Sequence, residues 1–434
     1  MSPDPFTVVS LFTGAGGLDL GLEQAGFRTI SAVDSDPDCV RTLLNNQASK
    51  IRFGNGSAYL EGAKIIRAEI ETLEPTDFKP PTADRNWVPD LMAGGPPCQP
   101  FSSSGKMLSV DDPRGRLFED FVRMAKGLRP KLILFENVRG LVTARGPQGE
   151  PGEVLGMVRR AFEDIGYATT FALLNAADFG CPQRRVRCFM MATRSTCLPD
   201  FPEATHTEFL DSGLFGVSPK WMSLGEYLAT LPPPLNEEIV RPTERLAIQL
   251  AGVAAGSGLK SAGAREATRP GGHWGYRQGT FIADVTQPAR TVTASASQDW
   301  IRPPDDSLRR LTLRECAGLQ GFPSSWQFAG PVASQFRQVG NAVPTVFGCV
   351  LGRSLIAVLE SGRRSTPRSA PLPRDFAIAI DYTKREQARN GESRRIAREK
   401  LSQPGTILGA VKGLGSAGLA NGRGGVAGVD HDDP

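Results

Sequence analysis

Runs of apolar residues alternate with amphipathic segments from the start of the chain. Phe6–Phe12 and Thr29–Val33 are uninterrupted apolar runs typical of buried strands, and between them Leu18, Leu22 and Ala25 share one helical face. Strands separated by helices in this way pair in parallel, within a sheet that helices cover on both faces. The pattern predicts that the chain begins as a doubly wound α/β fold.

The same alternation continues to about residue 194, and two further helices are expected near the end of the body of the chain. Because parallel strands place their carboxyl ends at one edge of a sheet, residues that follow these strands are expected to share a crevice. We expect strands over Asp90–Gly94, Lys131–Phe135, Thr169–Leu174 and Gln183–Thr193, and helices over Arg116–Leu128, Val154–Ile165, Leu311–Gln320 and Val346–Leu359.

The pattern changes twice further along the chain. From Ser195 to Asp284 proline and glycine interrupt the alternation, which predicts a smaller, loop-rich domain. Beyond Ser361 the chain is basic and rich in proline and arginine, and from Gly405 it is rich in glycine and alanine. Such compositions bury little apolar surface, so we expect a partly disordered tail.

Composition narrows the class of protein. The net charge of +4 over 434 residues lies mainly in the tail, so any nucleic-acid contact of the body must be local. Seven scattered cysteines and three histidines do not predict a metal site, and they suit a reducing cytoplasm. We recognise neither a signal peptide nor an apolar run of the roughly 20 residues that cross a bilayer.

A glycine turn joins the first strand to the first helix. Gly14 to Asp34 spans the 20 residues at which a doubly wound fold places a carboxylate on a ribose. Asp19, at the start of the helix, disfavours a pyrophosphate there. A nucleoside with a cationic end, such as S-adenosylmethionine, fits better. The alternative is an ordinary βαβ unit without a ligand.

A second glycine turn, GGPPCQPFSSSGK, begins at Gly94. Pro96 and Pro97 stiffen it, which places Cys98 on a rigid loop just past the carboxyl end of a strand. We interpret Cys98 as a nucleophile, the alternative being a buried structural cysteine. Glu136 follows the strand Lys131–Phe135 and should face the same crevice.

Taken in order, these motifs resemble the cytosine-5 DNA methyltransferases of bacterial type. The resemblance extends from Phe6 to about Leu359 and rests on SLFTGAGG, GGPPCQPFSSSGK, RGRLF, ENV, QRRVR, RECAGLQGFP and QVGNAVP. It implies a Rossmann-like S-adenosylmethionine-dependent large domain (1–194), a small target-recognition domain (195–330), a returning segment that completes the large domain (331–360) and the tail (361–434).

The resemblance also implies functions for single residues. Glu69 stands where an aspartate is commoner, and Asp34 where a glutamate is common; neither change undermines activity. The implied catalytic residues are Cys98, Glu136, Arg185 and Arg187, and the implied cofactor-binding residues are Phe12, Gly14, Gly16, Gly17, Asp34, Glu69, Pro97, Asn341 and Val343.

The chemistry of these groups predicts a mechanism. A Cys98 thiolate adds to carbon 6 of a flipped-out cytosine, Glu136 acts as the acid at ring nitrogen 3, and the two arginines hold the carbonyl oxygen and Glu136. No residue is assigned to the base that removes the carbon 5 proton. Arg265, Arg269, His273 and Arg277 are candidates for reading bases; Trp274 and Tyr276 either touch bases or form the core of the small domain.

The expected partner is double-stranded DNA, bound by a monomer, with a companion restriction endonuclease as a further expectation. Three alternatives remain at this point. They are an RNA-directed methyltransferase on the same scaffold, a catalytically silent DNA-binding relative, and a nicotinamide dehydrogenase. The dehydrogenase would need a cleaner glycine fingerprint and has no use for Cys98.

Overall fold

A seven-stranded sheet lies at the centre of this computed structural model. Its strands are β1 (Thr7–Leu11), β2 (Arg28–Asp34), β3 (Lys64–Arg67), β4 (Leu91–Gly94), β5 (Leu132–Val138), β6 (Ala168–Asn175) and β7 (Val186–Thr193). Their spatial order is β3-β2-β1-β4-β5-β7-β6. Neighbouring strands are parallel except in the two pairs that β7 forms, with β5 and with β6.

The structure describes residues 4–53, 58–81, 84, 86–97, 113–208, 218–260, 280–303, 307–363 and 366–385. Contacts divide the chain into two units, Met1–Ile380 and Asp381–Pro434, and all that follows concerns the first. Its α-helices are α1 (Gly17–Ala25), α2 (Pro37–Ala48), α3 (Pro113–Leu128), α4 (Glu153–Asp164), α5 (Leu224–Ala229), α6 (Glu244–Ala251), α7 (Leu313–Leu319), α8 (Val332–Asn341) and α9 (Thr345–Ser361).

The expected doubly wound α/β architecture is confirmed. After β1 the chain builds β2 and β3 on one side and then returns to place β4 on the other side of β1. This reversal of strand order opens a crevice beyond the carboxyl ends of β1 and β4, where open α/β sheets bind ligands. Apolar side chains of the strands, such as Val8, Met92 and Ile133, are fully buried, as a sheet covered on both faces requires.

Helix α9 returns from the far end of the sequence and packs against α1. At their crossing Gly21 faces Gly348, and a side chain at Gly21 would collide with the backbone of α9. By length and composition alone the stretch Val332–Ser361 is long and apolar enough to cross a membrane. The helical structure is interrupted within this stretch, because α8 ends at Asn341 and α9 begins at Thr345. Phe347, Leu351 and Leu355 of α9 are fully buried in the core.

Beyond Ser195 the described chain has short elements and a second, small sheet. Its strands are β8 (Ser257–Gly258), β9 (Phe281–Ile282), β10 (Trp300–Ile301) and β11 (Arg309–Arg310), in the order β11-β10-β9-β8. Trp300 and Ile282 form a small core with Leu250 of α6. The sequence did not predict α2, α5, α6 or α8.

Part of the C-terminal tail packs on the large sheet. Ala370 donates to the carbonyl of Thr169 on β6 at 2.9 Å, and the Ser369 hydroxyl accepts from the Thr169 N–H at 3.0 Å. Residues 374–380 are helical, and Phe376 lies fully buried in the core between the sheet and α3 and α4. This segment protects the edge strand β6, which would otherwise offer unpaired backbone groups to other chains.

We therefore expect Phe376→Ala to lower the free energy of unfolding by about 3–5 kcal/mol, because it leaves a cavity in the main core. Ile378→Ala, two residues away on the exposed side, is the matched control and should change it by less than about 0.5 kcal/mol. Chemical denaturation of the full chain measures both. Equal, small effects would show that this segment is not part of the core.

Candidate active site

A cavity of about 430 Å³ lies at the carboxyl edge of the sheet, where the strand order reverses. This volume is typical of sites for small molecules and cofactors. The cavity is lined by the ends of β1, β2, β4 and β5, by the first turn of α1 and by the end of α8. Among the lining residues are Phe12, Gly14, Asp19, Asp34, Glu69, Pro97, Glu136, Arg185, Arg187, Asn341 and Val343.

Asp34 ends β2 and fixes the glycine turn at one end of the cavity. One of its carboxylate oxygens accepts from the Gly14 N–H at 2.8 Å, and the other accepts from the Asp36 N–H at 2.9 Å. Burial raises the pKa of Asp34, and these two N–H groups oppose that effect. Each oxygen keeps a further lone pair, so the carboxylate is suited to accept from the two hydroxyls of a ribose.

The predicted cofactor residues fall into two groups. Phe12, Gly14, Glu69, Pro97, Asn341 and Val343 line the cavity with Asp34, whereas Gly16 and Gly17 are not among its lining residues. A side chain at Gly17 would collide with the carbonyl of Val343, and one at Gly16 with the Tyr59 hydroxyl. These two glycines thus let the segment 342–343 and Tyr59 pack closely against the turn.

Glu136 and Arg187 form a buried ion pair at the other end of the cavity. The Arg187 Nε lies 3.0 Å from Glu136 Oε1. Gly95 leaves room for this carboxylate, because a side chain there would collide with Glu136 Oε2. Burial raises the pKa of Glu136, and the charges of Arg187 and Arg185 partly counteract it. The group is therefore held in one orientation and protonates more readily than an exposed glutamate.

Arg185 has contacts that the sequence did not predict. Its guanidinium is 1% exposed and donates to the carbonyls of Val292 at 3.0 Å, Gly340 at 2.7 Å and Ala342 at 3.0 Å. It therefore fixes the end of α8 against the cavity. Its predicted bond to the carbonyl oxygen of a target base stays a prediction.

Two buried glutamines extend this connection, and sequence reasoning missed them. Gln183 donates to the carbonyl of Leu319 at 3.0 Å and to Gln320 Oε1 at 2.9 Å, and its own oxygen accepts from the Val292 N–H. Gln320 in turn donates to the carbonyl of Val339 at 2.6 Å. The only signal in the sequence was one glutamine in each of two motifs, Gln183 in QRRVR and Gln320 in RECAGLQGFP.

Cys98 lies outside the described residues, and so do Arg265, Arg269, His273, Trp274, Tyr276 and Arg277. The start of the Cys98 loop is described as far as Pro97. The Asn137 side chain, next to Glu136 on β5, donates to the carbonyl of Pro96 at 3.1 Å. The residue before Pro97 is therefore fixed to the same strand end as the Glu136 carboxylate.

The fold and this cavity define an α/β protein whose cleft at the carboxyl edge of the sheet holds a carboxylate, Asp34, beside a glycine turn and a buried acid, Glu136. Residues 6–357 match the sequence profile of the C-5 cytosine-specific DNA methylases. Two relatives are type II methyltransferases: M.Eco47II of Escherichia coli (30% identical; 83% of this chain, 81% of the relative) and M1.HphI of Haemophilus parahaemolyticus (30% identical; 81% and 86%).

Solved structures show the same fold. A variant of Dnmt2 from Spodoptera frugiperda is 17% identical with a TM-score of 0.56, and 81% of this chain aligns with 99% of that one. Dnmt2 from S. pombe is 18% identical with a TM-score of 0.54, over 82% and 99% of the two chains.

The chain belongs to the C-5 cytosine-specific DNA methylase family, whose activity is methyl transfer from S-adenosylmethionine to carbon 5 of cytosine in DNA. The resemblance seen in the sequence motifs is confirmed.

Proposed function

We propose that this chain methylates carbon 5 of a cytosine within a specific short sequence of double-stranded DNA, through a covalent bond between Cys98 and the base. The observation that supports this proposal is that the same cavity holds a carboxylate suited to a ribose, Asp34, and a buried acid fixed by an arginine, Glu136. Methyl donor and target base must meet in one place, and this cavity has a group for each.

The residues present fit S-adenosylmethionine. Asp34 and Glu69 follow adjacent strands and would hold the ribose and the adenine amine, with Phe12 available to contact the adenine ring. Pro97, Asn341 and Val343 would line the remainder, while Gly16 and Gly17 shape the turn. When bound, S-adenosylmethionine supplies an electrophilic methyl group. Asp19, Asp34 and Glu69 line the part of the cavity around the glycine turn, and their negative charge favours a ligand that has cationic groups.

The protein side of the reaction follows from the chemistry of cytosine. The Cys98 sulfur forms a bond to carbon 6, the electron pair of the 5,6 double bond moves into the ring, and Glu136 delivers a proton to ring nitrogen 3. Arg187 orients Glu136, and Arg185 positions the end of α8. After carbon 5 has gained the methyl group, ring nitrogen 3 returns its proton to Glu136, and loss of the proton on carbon 5 restores the double bond and releases the Cys98 sulfur.

Further features of the proposal concern specificity and context. We assign choice of target sequence to the small domain, 195–330, with Arg265, Arg269, His273 and Arg277 as its candidate readers of bases. Type II methyltransferases among the relatives support action beside a restriction endonuclease. The enzyme is proposed to act as a monomer in the cytoplasm, where its DNA lies.

Bisulfite sequencing of DNA from a host that expresses the full chain tests this function. We expect methylated cytosines confined to one short sequence, and with purified protein and labelled cofactor we expect transfer to duplex DNA and not to transfer RNA. A host expressing the Cys98→Ala variant is the control. Methylation of transfer RNA alone would favour an RNA-directed enzyme, and methylation of neither would favour a silent DNA-binding relative.

A further inference from the structure

Asp19 is buried from bulk solvent and is one of the residues that line the cavity. It lies in the first turn of α1, is 1% exposed, and lines the cavity beside Ser10 and Thr13. Within the described part of the chain, neither of its carboxylate oxygens accepts a hydrogen bond of normal length and angle. Buried polar oxygens in folded proteins almost always have a donor. A carboxylate without one, facing a ligand cavity, indicates that the donor belongs to the ligand.

The acidic surroundings of Asp19 strengthen this reading. Its charged neighbours Asp34 and Glu23 are both acids; burial raises the pKa of Asp19 to about 6, and the charge of Asp34 adds to that effect, while the Ser10 hydroxyl opposes it. Tyr59 is fully buried nearby, and burial raises the pKa of its hydroxyl, so this residue is uncharged and supplies no positive charge. Within the described residues no cation contributes to the electrostatics of Asp19, so a cation brought by a ligand would meet a negative charge that lacks a cationic partner.

Glu23, one turn further along α1, shows how a buried acid is satisfied internally. Its two oxygens accept from the Leu60 N–H at 2.9 Å and the Thr29 N–H at 3.2 Å. Asp19 has a similar burial, but no donor in the described part of the chain reaches its oxygens with normal hydrogen-bond length and angle, although the Ser10 hydroxyl lies close enough to lower its pKa. The difference separates a structural acid from one that is directed at a ligand.

The order of the strands indicates which end of the cofactor Asp19 meets. Asp34 ends β2, Glu69 follows β3, Asp19 follows β1, and Glu136 lies near the carboxyl end of β5. With the adenosine over β2 and β3 and the methyl group directed towards Glu136, the methionine half lies over β1 and β4. That half has two cations, but only its ammonium group has N–H donors for the Asp19 oxygens.

We propose that the Asp19 carboxylate binds the α-ammonium group of S-adenosylmethionine. The proposal rests on the proposed function, because it requires this cofactor in the cavity. S-adenosylhomocysteine, which keeps the ammonium and lacks the sulfonium charge, should depend on Asp19 to the same degree. An analogue in which hydrogen replaces the ammonium should not depend on it.

Calorimetric titration of the full chain with these three ligands tests the proposal. Asp19→Asn should weaken S-adenosylmethionine and S-adenosylhomocysteine by about 10-fold or more each, the value of a charge-assisted hydrogen bond, and change the deaminated analogue by less than about 3-fold. Asp34→Asn is the matched control and should weaken all three, because it acts at the ribose.

Unfolding temperature supplies a second readout and shows that the variant folds. The pKa of Asp19 is raised from 3.8 to about 6 by folding, so ionisation destabilises the folded chain above about pH 6 and has no effect below about pH 4. Asp19→Asn should therefore raise the unfolding temperature of the ligand-free chain by several degrees near pH 8 and leave it unchanged near pH 4.

Three results would overturn the proposal. They are unchanged affinity for both ammonium-containing ligands, a loss confined to S-adenosylmethionine (which would indicate the sulfonium), and equal losses for all three ligands (which would make Asp19 a residue that only shapes the cavity). If the wild-type chain bound none of the ligands, the proposed function would itself be wrong.

Discussion

Replacing Cys98 with alanine will abolish the denaturation-resistant adduct that the wild-type chain forms with duplex DNA containing 5-fluorocytosine at the target position. A fluorine at carbon 5 cannot leave as a proton does, so the bond between sulfur and carbon 6 persists in the wild type and is visible on a denaturing gel. Without the sulfur no bond forms. Methylation of ordinary DNA should fall by at least about 10⁴-fold, as expected for loss of a nucleophile.

A second cysteine makes this experiment decisive. Cys39, in α2, also lines the cavity, and it is buried. Burial and the charges of Asp34 and Asp36 raise the pKa of its thiol far above the ordinary value, so it provides almost no thiolate at neutral pH. The Cys39→Ala variant should still form the adduct. So should Cys197→Ala, which replaces a half-buried cysteine. If Cys98→Ala still formed the adduct and Cys39→Ala did not, the nucleophile would be Cys39 and not Cys98.

Local patterns predicted those parts of the site that lie on consecutive elements. The run Phe6–Phe12, the glycine turn, the helix and Asp34 form one βαβ unit, whose geometry is nearly fixed by chain connectivity. The structure places Asp34 against Gly14 accordingly. Glu136 was expected just past the end of its strand for the same reason, and the structure places it within the last three residues of β5.

Long-range pairing set the remainder, and no local pattern reports it. The apolar run in β7 looks the same whether the strand is parallel or antiparallel, yet only the antiparallel arrangement between β5 and β6 brings its amino end to the edge where β5 ends. In the register observed, Arg187 faces Val138, one residue from Asn137 and two from Glu136. The ion pair with Glu136 follows from this reversal.

The contacts of Arg185 depend on three segments far apart in sequence. Its carbonyl partners lie more than 100 residues away, at Val292, Gly340 and Ala342. A buried guanidinium requires acceptors for its donors, but the sequence does not say whether they belong to a substrate or to the chain. In the structure the chain supplies them, and Arg185 thereby joins the segment around Val292 to the end of α8 at the cavity.

The tail gives the opposite lesson. Its basic, proline-rich composition predicted partial disorder, and Phe376 is one aromatic residue among polar neighbours. The core accepts that single side chain because the sheet and the helices α3 and α4 leave a place for it. The average composition of the tail hides a single aromatic residue such as Phe376, whereas the packing of this segment on the core depends on that side chain.

Glu136→Gln should lower the rate of methyl transfer by about 10²–10⁴-fold, the usual contribution of a positioned acid, while the affinity for S-adenosylmethionine changes little. Glutamine has nearly the same shape and lacks the exchangeable carboxyl proton, so the proton at ring nitrogen 3 is lost and the lining of the cavity is kept. Single-turnover rates together with calorimetric dissociation constants separate the two effects. A full rate in this variant would exclude Glu136 as the acid.

Arg187 then tests whether the pKa of Glu136 governs the reaction. The Arg187 charge lowers that pKa against the larger effect of burial, so Arg187→Gln should raise it further. If protonated Glu136 is the active form, activity falls as pH rises through this pKa, and the alkaline limb of the profile should move to higher pH in Arg187→Gln. Arg187→Lys keeps the charge but loses the planar guanidinium, so its rate should fall with the limb nearly unmoved. A limb that stays in place in both variants would show that another group titrates.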